Sequence, residues 1–458
     1  MELGRKFKLW DKMGYIFGRS VFVSANNMFI PVYLLYFFTE VFGLNIAVAG
    51  AMTALVRIIG SASQLLAGYL IDHTHSKRGQ ARPYLLLGIP VSILIFLLFY
   101  VPNLTDSLKT AYAYAVYILF AVSSAFYGAA NALMLPRMTD DMAARNKISS
   151  AYGISLGVLS FILTVWCVPI VTALGGGNVS VGFTAFASII GGLILISTFF
   201  SYRVKEQVKI IPQKVNLLTD VKAIINNKYG LLYACGMLLF TTGINLVGAL
   251  VAYVATYLIG RPGSIGIIYA CVFAVYPILS ALYVPILKRI NKSQMFIIFS
   301  AMTIVGCILR MIFPTSLVVC IIGLCMMVLV DNSLMCYSGL IVSETTDYME
   351  LKQGVRSEST FNSVFALIGS LIYSGILALA TSNLNAAGYV SNAETQVPAA
   401  LNALSFWVTV PLLVASVVCI IFMIPLSRYA KDYPLIKEQL IQKRAELRAA
   451  EESATAEG

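Results

Sequence analysis

Apolar positions along this chain fill long runs, and most of those runs carry no polar face. A bilayer-spanning helix needs about 20 mostly apolar residues. Runs of that length occur at 14–40, 45–71, 82–102, 110–136, 148–174, 180–202, 229–258, 264–287, 294–313, 316–346, 358–381 and 401–427, spans 1 to 12 in chain order. Backbone polar groups cannot be left unpaired in lipid, so such runs must be helical. The pattern therefore predicts an all-α polytopic membrane protein with 12 transmembrane helices. The longest interior polar stretch, 203–228, divides the runs into two sets of six. The expected domains are an N-terminal six-helix bundle over 1–202, a linker over 203–228, a C-terminal six-helix bundle over 229–428 and a tail over 429–458. Chains built this way from repeats hold their solute near the bilayer midplane between the halves.

The basic residues test the count of spans. Short loops rich in Lys and Arg stay on the cytoplasmic side. With both termini inside, nearly all of the 32 basic residues fall in cytoplasmic segments, and the outside loops hold only Lys109 and Arg261. A miscounted span would invert every loop after it, so this asymmetry supports twelve. It also accounts for the net charge of +11 without a nucleic-acid partner. The expected location is the cell membrane of a bacterium, multi-pass, with both termini cytoplasmic and lipid as a partner. Composition agrees, with 59% hydrophobic and 12% charged residues against about 45–50% and about 25% in soluble domains. The opening MELGRKFKLWDKMG leads into a run too long for a cleaved signal peptide. Beyond Arg428, residues 435–450 could form a short amphipathic helix, but a solvated basic tail near anionic lipid is the expected state.

Enzyme chemistry finds little support. No HExxH or nucleophile elbow occurs, and the two histidines, His73 and His75, lie in one loop. The eight cysteines sit inside apolar runs without a CxxC pair, which fits small buried hydrophobes better than metal ligands or disulfides. No catalytic residue, metal or cofactor is expected.

Four stretches carry a more specific signal: YLLYFFTEVFGL at 33–44, GYLIDHTHSKRGQARPYLLLG at 68–88, MLPRMTDDMAARNKISS at 134–150 and SETTDYMELKQGVRSESTFNS at 343–363. In these stretches and their spacing the chain resembles the glycoside–pentoside–hexuronide:cation symporters of the major facilitator superfamily, the melibiose permease group. The resemblance covers essentially the whole chain. It implies the major facilitator fold, two pseudo-symmetric six-helix bundles around a central cavity, and it implies a secondary transporter. The surface loops would then govern conformational switching through Asp72, Arg78, Arg82, Asp140, Arg145, Asp347, Glu350 and Arg356.

At four positions the chain departs from that family. Arg57 matches the family's span 2 Arg, but the two Asp positions that follow read Gly60 and Gln64. The sugar-binding Asp of span 4 falls at Gly128, and the span 11 Lys falls at Ser370. A dehydrated sodium ion wants oxygen ligands and a nearby negative charge, so sodium coupling is not expected; coupling would be to protons, or absent.

Ionisable groups at bilayer depth are functional candidates by default. Asp331 in span 10 lies sixteen residues before Asp347, about 24 Å along the axis and so near the midplane. It must find a cation or take up a proton, which makes it both a substrate-binding and a coupling candidate. Arg57 is read both as a positioning cation and as a substrate contact. Arg19 and Arg310 are expected to snorkel to the membrane surface. The neutral candidates for substrate binding are Asn26, Asn27, Gln64, Tyr127, Asn131, Trp166, Thr241, Asn245 and Asn362, whose amides, hydroxyls and ring suit a hydroxylated solute. The leading expectation is a transporter of a glycoside, sugar or related small organic solute by alternating access. The alternatives are a proton-coupled or uncoupled carrier of an anionic or amphipathic solute such as a uronide or carboxylate, and a non-transporting membrane sensor.

Overall fold

The structure is a computed structural model that describes residues 9–74, 76, 78–139, 142–206, 222–354 and 358–456. Among the described residues the secondary structure is helical, and eleven helices are long and apolar enough to cross a membrane. The shorter apolar helix Arg82–Leu98 supplies the remaining expected span, span 3. The others run Trp10–Val41, Ile46–Ile71, Asp106–Leu135, Lys147–Val165, Val179–Arg203, Lys228–Leu258, Ser264–Leu287, Lys292–Ile312, Leu317–Gln353, Thr360–Ala386 and Pro398–Lys443.

Where the helices deviate, local chemistry accounts for it. Span 1 contains two π-helical turns, Ala25–Phe29 and Phe37–Val41, and span 7 ends in a third, Val254–Leu258. The first precedes Pro31, which has no N–H to offer the carbonyl one turn back. Span 5 breaks at Trp166, after which a second helix covers Cys167–Gly175. Pro169 cannot donate to the Val165 carbonyl, and Gly266 of span 8 approaches that freed oxygen so closely that a Cβ would come within 2.7 Å. Span 12 does not stop at Arg428. It continues as one helix, Pro398–Ala456, with Tyr429 and Leu440 buried. The tail is thus helical, because its residues are strong helix formers, while most of its described side chains other than Tyr429 and Leu440 are exposed, as its charge leads one to expect.

The chain folds into two compact units. Unit one comprises Met1–Gln213, Gly248–Ala270 and Tyr373–Ser405, and unit two comprises Lys214–Val247, Cys271–Ile372 and Phe406–Gly458. These units cut across the expected division into 1–202 and 229–428, since the segments 248–270 and 373–405 pack with spans 1 to 6. Aromatic rings fill the middle of unit one: Phe29 and Phe37 of span 1 meet Phe99 at 5.0 and 4.9 Å between centroids, and Phe37 meets Phe183 of span 6 at 5.5 Å. Lipid tails are as apolar as these rings, so close packing rather than water exclusion must hold such helices together. Gly18 shows how close: a Cβ there would overlap Ser201 Oγ at 1.6 Å. In unit two, Gly306 and Gly323 bring spans 9 and 10 together in the same way.

Candidate functional site

Asp331 does not stand alone in span 10. The Tyr276 hydroxyl of span 8 donates to its Oδ2 at 2.5 Å. A turn further along span 8, Ser280 Oγ lies 3.4 Å from Asn332 Oδ1, and Ser333 Oγ donates to Tyr283 Oη at 3.1 Å. Tyr276, Ser280 and Tyr283 are spaced four and three residues apart, so they share one helix face. Asp331, Asn332 and Ser333 answer them from span 10, making a polar ladder within unit two. To the expected cation or proton the structure adds a phenol that donates a hydrogen bond to the Asp331 carboxylate. The signal that could have found the ladder is the polar i, i+4, i+7 pattern of Tyr276, Ser280 and Tyr283, with Pro277 inside it and Pro285 just beyond.

Arg57 in span 2 stacks over Tyr373 of span 11, its guanidinium carbon 4.1 Å from the ring centroid. Weak hydration and a flat charged face suit Arg to such a partner. Gly128 faces Phe22, whose ring a Cβ there would approach to 3.1 Å. Ser370 is buried as well.

The neutral candidates separate into groups. Asn26 donates to Asn27 at 2.9 Å within the first π-helical turn, and Asn27 is exposed. Asn245 donates to the Thr241 carbonyl at 2.7 Å, and Thr241 bonds its own helix backbone. Gln64, Trp166 and Asn362 are exposed. Tyr127 and Asn131 differ: both are buried, Tyr127 bonds Thr198 at 3.1 Å, and Asn131 donates to the Tyr127 carbonyl. Both pack within unit one. Of the two arginines expected to snorkel, Arg310 is instead buried, while Arg19 reaches back one turn toward the start of span 1. Arg19 is held by Tyr15 and by the Tyr152 ring at 4.6 Å. Arg310 is only 7% exposed, its stem lying against Gly323.

The loop residues assemble around a group that sequence reasoning missed. Glu206, just past span 6, accepts from the backbone N–H groups of Gln80, Ala81 and Arg82 at 2.8–2.9 Å. Arg137 of span 4 lies 3.9 Å from the same carboxylate, with side chains 1% and 8% exposed. A buried ion pair is tolerable only when further hydrogen bonds satisfy it, and converging N–H groups at a helix start do so. Arg82 donates to the Tyr202 carbonyl at 2.6 Å and Arg78 to its hydroxyl at 3.3 Å, closing the loop onto span 6. In unit two Lys292 pairs with Glu344, and Tyr433 donates to Asp347 at 2.6 Å. Tyr429 donates to the Glu344 carbonyl and Lys443 to that of Leu351. The tail therefore braces the end of span 10, and Glu350 lies half-buried beside it. Asp140 and Arg356 lie outside the described residues, while Asp72 ends its helix and Arg145 lies within one. Among the described residues no three His, Cys, Asp or Glu converge as a metal site would require.

Comparison with known proteins places this geometry. Residues 14–430 match the family model described as MFS/sugar transport protein. The chain is 28% identical to the uncharacterized symporter YjmB of Bacillus subtilis, over 86% of each chain. It is 26% identical to the isoprimeverose transporter of Lactiplantibacillus pentosus, over 91% of this chain and 88% of that one. Among solved structures, a point mutant of the nucleoside transporter NupG superposes with a TM-score of 0.67 at 12% identity, covering 91% of this chain and 99% of NupG.

Proposed function

Because the chain belongs to the MFS/sugar transport protein family and is a multi-pass membrane transporter, we propose that it carries a glycoside, sugar or related small organic solute by alternating access, without sodium and with protons as the coupling ion. The two halves 1–202 and 229–428 are the moving bodies, and both termini with the basic loops face the cytoplasm, as the charge asymmetry supports. Asn26, Asn27, Arg57, Gln64, Thr241, Asn245, Asp331 and Asn362 are the groups proposed to handle the solute, with Trp166 as an aromatic surface. The kinship with an isoprimeverose transporter supports the hydroxylated solute.

The observation that carries the proton reading is the hydrogen bond from Tyr276 to Asp331. A mid-membrane carboxylate whose described hydrogen-bond donor is a neutral phenol can accept a proton without breaking an ion pair, and its hydrogen bonds can then rearrange. Asp331→Asn removes the titrating group and keeps the shape. In proteoliposomes it is expected to abolish proton-driven accumulation while solute exchange across the membrane persists. Wild-type accumulation with an unchanged pH dependence would reduce Asp331 to a structural residue. A second reading, an anionic solute, is favoured by the guanidinium of Arg57 at mid-span over Tyr373. Competition of labelled solute by uronides or sugar acids, lost in Arg57→Gln, separates the two.

A further inference from the structure

Opposite the basic loops, the ends of several spans of unit one are joined by a compact set of polar contacts. Glu40 sits in the π-helical turn Phe37–Val41 that closes span 1, and Tyr257 sits in the π-helical turn Val254–Leu258 that closes span 7. The Tyr257 hydroxyl donates to Glu40 Oε2. Tyr389, from the segment after span 11, donates to Oε1 at 2.7 Å, and the backbone N–H of Asn392 donates to Oε2 at 2.8 Å. Behind this carboxylate, Thr39 Oγ1 and Tyr253 Oη are 2.8 Å apart. Beside it, Asn45 donates to Asn385 at 2.7 Å and Ser391 donates to the Leu44 carbonyl at 3.1 Å. Gly50 of span 2 lies so near Thr381 of span 11 that a Cβ would fall 2.0 Å from the threonine Oγ1.

We propose that Glu40 is the latch of an outer gate, holding the outer ends of spans 1, 7 and 11 together in the outward-closed state and releasing its three donors when the carrier opens outward. This rests on the alternating-access reading and its orientation. Three observations set the cluster apart from ordinary helix packing. First, wide π-helical turns face each other there, and Asn392 adopts a left-handed backbone, φ 57°, the one such non-glycine among the described residues. Uncommon backbone states of this kind gather at switching sites because surrounding contacts must impose them. Second, a cavity of about 700 Å³ opens directly onto the latch, lined by Tyr36, Glu40, Asn178, Thr256, Tyr257 and Glu394 among others. A released carboxylate could be hydrated from that vestibule, so opening does not strand a bare charge. Third, spans 7 and 11 each contribute to both compact units, with only 248–270 and 373–405 belonging to unit one. Those are the segments the latch binds. The stretch YLLYFFTEVFGL, which the sequence marks without explaining, thereby acquires a role.

A reporter thiol tests this. Asn27 is exposed and lies thirteen residues before Glu40 on span 1, about 20 Å deeper along the helix. Asn27→Cys in intact cells is treated with a membrane-impermeant maleimide, corrected for labelling of the parent's native cysteines and for the amount of protein in the membrane. Hydrogen bonds to a charged group are strong enough that losing them shifts a two-state equilibrium about tenfold. Added Glu40→Ala is therefore expected to speed labelling about tenfold, with a smaller gain for Tyr389→Phe. If Glu40→Ala fails to reach the membrane, Tyr389→Phe decides alone. Gly50→Leu serves as a wedge, because its side chain must push span 2 from span 11 whatever Glu40 does. Faster labelling in Gly50→Leu with unchanged labelling in the Glu40 and Tyr389 variants overturns the latch and leaves alternating access standing. No change in any of the three overturns both.

Discussion

At the scale of single residues, several buried charges among the described residues are met by converging donors or acceptors. Glu206 is the clearest case, with three backbone N–H groups and Arg137 around one carboxylate. Glu206→Ala would leave Arg137 buried beside an empty space and free three N–H groups. Breaking a buried pair from one side costs about 3–5 kcal/mol, so the variant should unfold at a markedly lower temperature in detergent, and Glu206→Gln should recover part of the loss. A melting temperature equal to the parent's would show that this pair does not support the fold. The carboxylate of Asp331 and the guanidinium of Arg57 follow the same rule with aromatic partners, Tyr276 and Tyr373. Sequence alone exposed Asp331 and Arg57, because a charge within an apolar run is conspicuous. It did not expose Glu206, which lies in a polar linker where nothing in the local pattern names a partner. Nor did it show that Tyr127 and Asn131 face inward, since span 4 is apolar all round and periodicity cannot assign its faces.

At the scale of elements, the spans were legible and their interruptions were not. Twenty apolar residues announce a helix crossing the bilayer, and the boundaries of spans 7 and 8 fall where the pattern put them, to within a residue. Of the π-helical turns in spans 1 and 7, the first precedes Pro31, while the other two lie at span ends joined by Glu40 and Tyr257 and have no compositional signature. The tail divides between the two expectations. Most of its described side chains are exposed, as its charge suggested, while the hydroxyls of Tyr429 and Tyr433 bond the end of span 10 and Leu440 is buried. If span 10 moves as a rigid element during transport, that brace affects rate rather than recognition. Tyr433→Phe removes the donor to Asp347, and Arg82→Ala frees the loop from Tyr202 in unit one. Each is expected to lower the maximal uptake rate severalfold while equilibrium solute binding stays within about twofold, measured by uptake kinetics and by ligand binding to purified protein. Weaker binding at an unchanged turnover would contradict a switching role for these loops.

At the scale of the whole molecule, family membership establishes a transporter, and the departures from its resemblance to cation symporters shape what it transports and how. By that resemblance Gly60 and Gln64 stand where carboxylates would hold sodium, and Gly128, facing the Phe22 ring, stands where a sugar-binding Asp would sit. What remains at depth is Asp331 with its phenol partner. The most direct measurement reconstitutes the purified protein into proteoliposomes, with a glycoside chosen by thermal-shift screening, and compares its uptake under an inward sodium gradient, an inward proton gradient and neither. The account predicts accumulation driven by the proton gradient and no stimulation by sodium. Saturable stimulation by sodium, with the proton gradient inert, would contradict it.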